Sequence, residues 1–205
     1  MAPLPLVIAL VLAAGRGRRF GGDKRQARLA DGRTLLQATL QATQRVFAET
    51  YVLLRAEDDP AALEVPARVG VLRCGNAEQG LGDSLAAGVR ALVGHPAAAI
   101  AVVLGDMPWV AESSLRALAA QAGAGRIVLG SHGGRYGHPV LFGRQFWPPL
   151  QALHGEPGAR ALIEGAGAAC RVLALDDPGL LRDVDTPEAL RTLGSGGPAA
   201  PRRTC

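Results

Sequence analysis

Leu6-Val7-Ile8-Ala9-Leu10-Val11-Leu12, followed by Ala13-Ala14-Gly15-Arg16-Gly17-Arg18-Arg19-Phe20-Gly21-Gly22-Asp23-Lys24, joins an unbroken apolar run to a loop of glycines and cations. A short run without polar alternation is expected of a strand buried on both faces of a sheet. Glycines in the loop let backbone N–H groups approach a ligand closely, and the added positive charge matches a polyphosphate. Lys24 is the one lysine among 22 basic residues; the rest are arginine. A chain with that lean keeps a lysine where a compact ammonium serves better than a planar fork. Six of the 22 basic residues fall between Gly15 and Arg28, so the position of Lys24 is weak by itself and gains weight from its surroundings.

Beyond this stretch, short apolar runs alternate with longer amphipathic ones. The pattern predicts strands at Leu6–Leu12, Tyr51–Leu54, Val69–Leu72, Ile100–Leu104, Ile127–Leu129, Pro139–Phe142 and Arg171–Ala174. Helices are predicted at Leu35–Phe47, Leu81–Leu92, Glu112–Gln121, Arg144–Leu153, Gly158–Gly165 and Pro187–Leu193. In the first of these, Leu36, Leu40 and Phe47 form the expected buried stripe. Such alternation implies an α/β chain: a single Rossmann-like three-layer domain, its sheet mostly parallel, with helices on both faces. The domain is expected over residues 1–193, with 194–205, rich in Gly, Ser and Pro, a disordered tail.

Composition narrows the function. With 48% apolar and 20% charged residues the chain is that of an ordinary globule, and 4% aromatics argues against a base-stacking nucleic-acid binder. A net charge of +4, concentrated in the loop and the tail, fits a local anionic ligand better than a long phosphate backbone. Three scattered cysteines without C-x-x-C spacing point to reduced thiols in the cytoplasm and support neither zinc nor a disulfide framework. Met1 to Ala14 lacks the basic start of a signal peptide, and cleavage there would remove the first strand. No stretch approaches transmembrane length, so no membrane association is expected.

The loop is neither a P-loop, because Gly22 is followed by Asp23-Lys24-Arg25, nor a dinucleotide fingerprint, because Phe20 stands where glycine or alanine is needed. Gly105-Asp106-Met107-Pro108 follows another apolar run. In open α/β sheets ligands gather at the carboxyl ends of strands, so Asp106 and the glycine loop are expected to open onto one crevice. A carboxylate there suits Mg²⁺, which takes one or two protein carboxylates beside substrate phosphates. Asp106 lies six residues before Glu112, too far to cap that helix directly. Asp183-Val184-Asp185-Thr186-Pro187-Glu188 offers a second acidic site, in which Asp185 is either a metal ligand or part of an ordinary helix start.

Taken together, Leu12-Ala13-Ala14-Gly15-x-Gly-x-Arg-Phe-Gly-Gly-Asp-Lys24, Gly105-Asp106-Met107-Pro108, Gly137-His138-Pro139-Val140 and Asp183-Val184-Asp185-Thr186-Pro187 resemble the nucleotidyltransferases that mature the molybdenum cofactor. The double alanine before Gly15, and Gly155-Glu156-Pro157-Gly158-Ala159-Arg160, are similar to the cytidylyltransferase branch. Gly17 and Phe20 depart from that pattern, as do Glu156 and Asp83, the last standing before Ser84. The resemblance implies a nucleotide-diphospho-sugar transferase-like fold and a Mg²⁺-dependent reaction. Molybdenum-loaded molybdopterin attacks CTP, giving molybdopterin cytosine dinucleotide and pyrophosphate.

It further implies catalytic roles for Lys24, Arg19 and Asp106, and metal binding by Asp106 and Asp185. Substrate binding falls to Ala13, Ala14, Gly15, Arg16, Gly17, Asn76, Ser84, His138 and Arg160. Five of these have a plain structural alternative: a turn for Asn76, a helix cap for Ser84, a surface pair for Arg160, hydrogen-bonded structure for His138 and a solvated side chain for Arg16. A transient complex with a molybdenum hydroxylase is implied as well. Two other readings remain beside this one: transfer from GTP or to another phosphate acceptor, and a non-catalytic chaperone that delivers the cofactor to a hydroxylase.

Overall fold

The computed structural model describes residues 5–15, 17, 20–75 and 80–194. Seven strands form one sheet: β1 (Val7–Leu12), β2 (Glu49–Arg55), β3 (Gly70–Cys74), β4 (Ala99–Leu104), β5 (Ile127–His132), β6 (Arg135–Gly143) and β7 (Cys170–Ala174). Their order is β3-β2-β1-β4-β6-β5-β7, with only β6 antiparallel to its neighbours. Every residue of β1 is buried, which is why its sequence shows no alternation.

Alternate residues of β1 nevertheless serve different layers. Ile8, Leu10 and Leu12 pack with Leu85 and Val89 of α2 (Leu81–Ala91) and with Trp147 and Leu150 of α4 (Trp147–Gln151). Val7 and Ala9 meet Leu115 and Leu118 of α3 (Glu112–Ala120), while Val11 meets Leu36 and Leu40 of α1 (Leu35–Gln44). The three-layer α/β arrangement expected from the pattern is therefore present, with helices on both faces. α5 (Arg160–Gly165) and α6 (Pro187–Gly194) complete the set.

Two local features depart from the expected strand and helix limits. The chain reverses between β5 and β6 at Gly133-Gly134, whose φ values of 56° and 76° suit a two-residue hairpin turn that side chains with a Cβ resist. This hairpin lengthens both strands and produces the one antiparallel strand. The first helix ends at Gln44, yet Phe47 beyond it is still buried. Of the expected tail, only Gly194 lies among the described residues, as the last residue of α6.

The chain runs outward from β1 through β2 to β3 and then returns to β4 on the other flank of β1. The strand order reverses there, so the loops leaving β1 and β4 part to open a crevice at the carboxyl end of the sheet. Gly105 N–H still donates to Leu12 O at 3.0 Å, continuing the ladder, and Asp106 is the first residue beyond it. A Cβ on Gly105 would come within 3.1 Å of Leu12 O, so glycine keeps the two strand ends closely paired.

Candidate active site

Three segments supply the charged groups of the crevice. Lys24 opens a short 3-10 turn, Lys24–Gln26, whose first backbone groups are held by the Asp23 side chain. Its Nζ lies 2.6 Å from Asp106 Oδ2 and 3.2 Å from Asp185 Oδ1. Gly17, at φ 55°, lies against the stem: a Cβ there would be 3.3 Å from Lys24 Cγ. The third segment is stitched to the second by Val184 N–H, which donates to Asp106 O at 3.2 Å.

Asp183 joins Asp106 and Asp185, and carboxylate oxygens of all three lie within 4.8 Å of one another. Three anions this close repel unless cations sit among them, and a set of carboxylate oxygens is what a hard divalent ion prefers. The donors therefore fit such an ion. Asp183 belongs to the acidic run noted in the sequence but was not singled out as a ligand. Its signal was the Asp-Val-Asp alternation: in extended chain, period two sends Val184, fully buried, inward and both carboxylates to the other side.

The helix start falls to the neighbour of Asp185. Thr186 Oγ1 accepts from Ala189 N–H at 3.1 Å, so threonine caps α6 and Asp185 is left to face Lys24. Asp106 likewise has no capping duty. Ala111, which precedes α3, donates its N–H to Asp177 Oδ2 at 2.9 Å, and Asp177 Oδ1 accepts from Gly179. Asp177 thus fastens the segment leading to Asp183 onto the loop leaving Asp106.

Beside Lys24 sits a buried ion network that sequence inspection did not find. Arg25, only 5% exposed, uses all five of its N–H donors. Nε and Nη2 donate to Asp23, Nη1 and Nη2 to Asp58, and Nη1 also to Ala13 O. Burial works to lower the Arg25 pKa, but the hydrogen bonds to Asp23 and Asp58 outweigh it and leave the group more basic than usual. For Asp58 burial works upward, and Arg25 with the Arg55 N–H overcomes it, so its pKa falls below 3.8. Asp23 behaves in the same way.

A depressed carboxylate pKa contributes stability above its unfolded value and loses it as pH falls through the folded one. The difference in thermal midpoint between wild type and Asp58→Asn should therefore stay constant from about pH 5 to about pH 8 and close below the unfolded value. Thermal melts from about pH 8 down to about pH 3 check this; a difference that grows towards acid would contradict the network.

The remaining expected residues are distributed as follows. Ala13 and Ala14 are buried at the end of β1, with Ala13 N–H donating to Leu53 O at 3.0 Å, and Gly15 is exposed. His138 lies in β6, joined to Pro139 by a cis peptide, two residues before Val140, where the pairing with Val102 of β4 ends. Ser84 is buried in the first turn of α2, but Gly80 is the cap residue. Asp83, the departure beside it, accepts from Gly155 N–H at 2.7 Å and contacts His154, so it anchors the Gly155 turn against α2. Arg160 is 81% exposed and pairs with Glu164 at 2.8 Å. Arg16, Arg19 and Asn76 lie outside the described residues. A separate pocket of about 440 Å³, lined by Gln44, Phe47, Glu49, Thr50, Tyr51 and Arg68, opens at the amino-terminal end of β2, away from this chemistry.

A parallel-sheet crevice at the strand-order reversal, in which Lys24 meets clustered carboxylates, suits a nucleotide-handling transferase. The MobA-like NTP transferase domain family matches residues 9–172, and the chain belongs to that family. The purine catabolism protein PucB of Bacillus subtilis is 32% identical over 198 residues, covering 90% of this chain and 94% of PucB. A probable molybdenum cofactor guanylyltransferase of Chloroflexus aggregans is 30% identical over 136 residues, 65% of this chain and 61% of its own length. Rv0371c of Mycobacterium tuberculosis superposes with a TM-score of 0.81 at 28% identity, covering 94% of this chain and all of that one. The same protein has been solved in complex with manganese; that structure gives a TM-score of 0.73 at 27% identity, over 92% of this chain and 98% of its own. No helix among the described residues is long and apolar enough to cross a membrane.

Proposed function

We propose that this nucleotidyltransferase joins CMP from CTP to molybdenum-loaded molybdopterin, giving molybdopterin cytosine dinucleotide and pyrophosphate. The observation that carries the reading is the meeting of Lys24, Asp106 and Asp185 in one crevice. A terminal phosphate oxygen of molybdopterin attacks the α-phosphorus of CTP, and the bond from that phosphorus to the oxygen shared with the β-phosphate breaks. Positioning and charge neutralisation supply most of the catalysis in such a transfer. Lys24 Nζ has three donors; those that now rest on Asp106 and Asp185 would be freed for the leaving pyrophosphate when a divalent ion takes these oxygens, with Arg19 assisting. Backbone N–H groups from Gly15 to Gly17 cradle the phosphates.

Asp106, Asp183 and Asp185 are the residues that would hold Mg²⁺, which would supply charge neutralisation at the reacting phosphate. Arg16, Asn76 and Ser84 belong to the nucleotide side, and His138 and Arg160 to the pterin side. Residues 1–193 form the transferase domain, acting in the cytoplasm and handing the product to a molybdenum hydroxylase in a transient complex. The Leu12-Ala13-Ala14-Gly15 sequence favours CTP; relatedness to the Chloroflexus guanylyltransferase favours a second reading with GTP. A purely delivering chaperone has no use for an ammonium and three carboxylates gathered at one point.

The deciding experiment incubates the purified protein with molybdenum-loaded molybdopterin, Mg²⁺ and each nucleoside triphosphate, and measures pyrophosphate. Release with CTP well above that with GTP is expected. GTP preference would move the chain to the guanylyl branch, and activity only with a sugar phosphate would overturn the acceptor.

A further inference from the structure

We propose that Arg55 and Asp58, acting with Arg25, are positioning residues that decide which backbone groups of the glycine turn face the triphosphate. Three successive carbonyls at the end of β1 are occupied by arginines: Ala13 O by Arg25 Nη1 at 2.9 Å, Ala14 O by Arg55 Nε at 3.0 Å, and Gly15 O by Arg55 Nη2 at 2.6 Å. Both guanidinium groups converge on one carboxylate. Asp58 accepts Arg25 Nη1 at 2.5 Å and Nη2 at 2.8 Å, and the Arg55 N–H at 2.8 Å, with Arg55 Nη1 at 3.8 Å. Arg73 Nη1 in turn donates to Arg55 O and Asp58 O, bracing the same corner from β3.

The consequence follows from peptide geometry. In a trans peptide the carbonyl of one residue and the N–H of the next point in opposite directions across the plane. Holding Ala13 O and Ala14 O on the arginine side sends the N–H groups of Ala14 and Gly15 to the other side. A flipped peptide would instead present a carbonyl oxygen, which repels phosphate. These arginines therefore orient the turn's dipoles before the ligand arrives, so no reorganisation is needed on binding. Arg25 has no donor left for a phosphate, and Arg55, at 14% exposure, places Nε and Nη2 on the backbone oxygens of Ala14 and Gly15. The position of Asp58, in the loop after β2, lets a residue distant in sequence set the geometry of the turn after β1.

The inference rests on reading that turn as the triphosphate site, and the test separates the two. Inorganic pyrophosphate is the probe, with affinity measured by calorimetry and thermal midpoints recorded alongside for wild type, Arg55→Gln, Arg55→Lys and Asp58→Asn. Arg55→Gln should weaken pyrophosphate about tenfold, the effect of losing a hydrogen bond to a charged group. The KM for the triphosphate should rise by a similar factor while kcat changes little, because the cradle acts equally in ground and transition states. Arg55→Lys should restore most of the affinity by reaching one of the two carbonyls. Unchanged pyrophosphate affinity in Arg55→Gln and Asp58→Asn, or a lowered thermal midpoint with KM intact, would overturn the positioning role alone. Absence of pyrophosphate binding by wild type would instead overturn the reading of the turn and this inference with it.

Discussion

Replacing Asp106 by asparagine should lower pyrophosphate release by about 10³-fold, while the thermal midpoint stays within about 3 °C of wild type. The size follows from what the carboxylate is positioned to do. Charge stabilisation at a transferring phosphoryl group is worth several kcal/mol, and each 1.36 kcal/mol is a factor of ten. The small effect on stability follows from the surroundings. The link to Val184 N–H uses the Asp106 backbone oxygen and survives the change. Lys24 keeps Asp185, and one of three mutually repelling charges is removed. Asparagine retains the shape, so a fully active Asp106→Asn enzyme would exclude Asp106 as a metal ligand, and a collapsed midpoint would recast it as structural.

For Lys24→Met the expected results run in opposite directions. Turnover should fall about 10²- to 10³-fold, the usual loss when a single donor to developing charge is removed, with a smaller change in nucleotide affinity. Binding of Mn²⁺ to the nucleotide-free variant, followed by electron paramagnetic resonance, should tighten instead. The ammonium 2.6 Å from Asp106 Oδ2 and 3.2 Å from Asp185 Oδ1 competes with a divalent ion for the same oxygens. A side chain that merely packed the turn would lower both. Unaltered pyrophosphate release would remove Lys24 from the chemistry, and unaltered Mn²⁺ affinity would separate the metal site from the lysine.

Much of this molecule is legible before folding is considered. All seven strands stand at apolar runs, but only in the central β1 and β4 is the run continuous, because both faces there are covered; the outer β3 and β7 carry exposed positions. Lys24 and Asp106 could be anticipated as partners because the glycine loop that carries Lys24 follows β1 and Asp106 follows β4, and strand ends in an open parallel sheet share one rim. Other features carried little local signal. Asp58 sits in an ordinary polar run, Glu57-Asp58-Asp59-Pro60, and nothing within that run distinguishes it. Its meaning comes from Arg25, 33 residues earlier, which is buried with it. The hairpin at Gly133-Gly134 was legible in principle, and passing over it shortened β5 and β6 and concealed the antiparallel strand.

The amino-acid order alone thus determined the layers, the strand ends and the two charged residues poised at them, since burial and backbone propensity act over a few neighbouring positions. Only the folded chain decided that Thr186 rather than Asp185 caps α6, that Asp183 completes a carboxylate triad, and that two arginines turn the carbonyls of Ala13, Ala14 and Gly15 away from the crevice. Those outcomes depend on which distant groups compete for the same hydrogen bonds, and that competition exists only once the segments have been brought together.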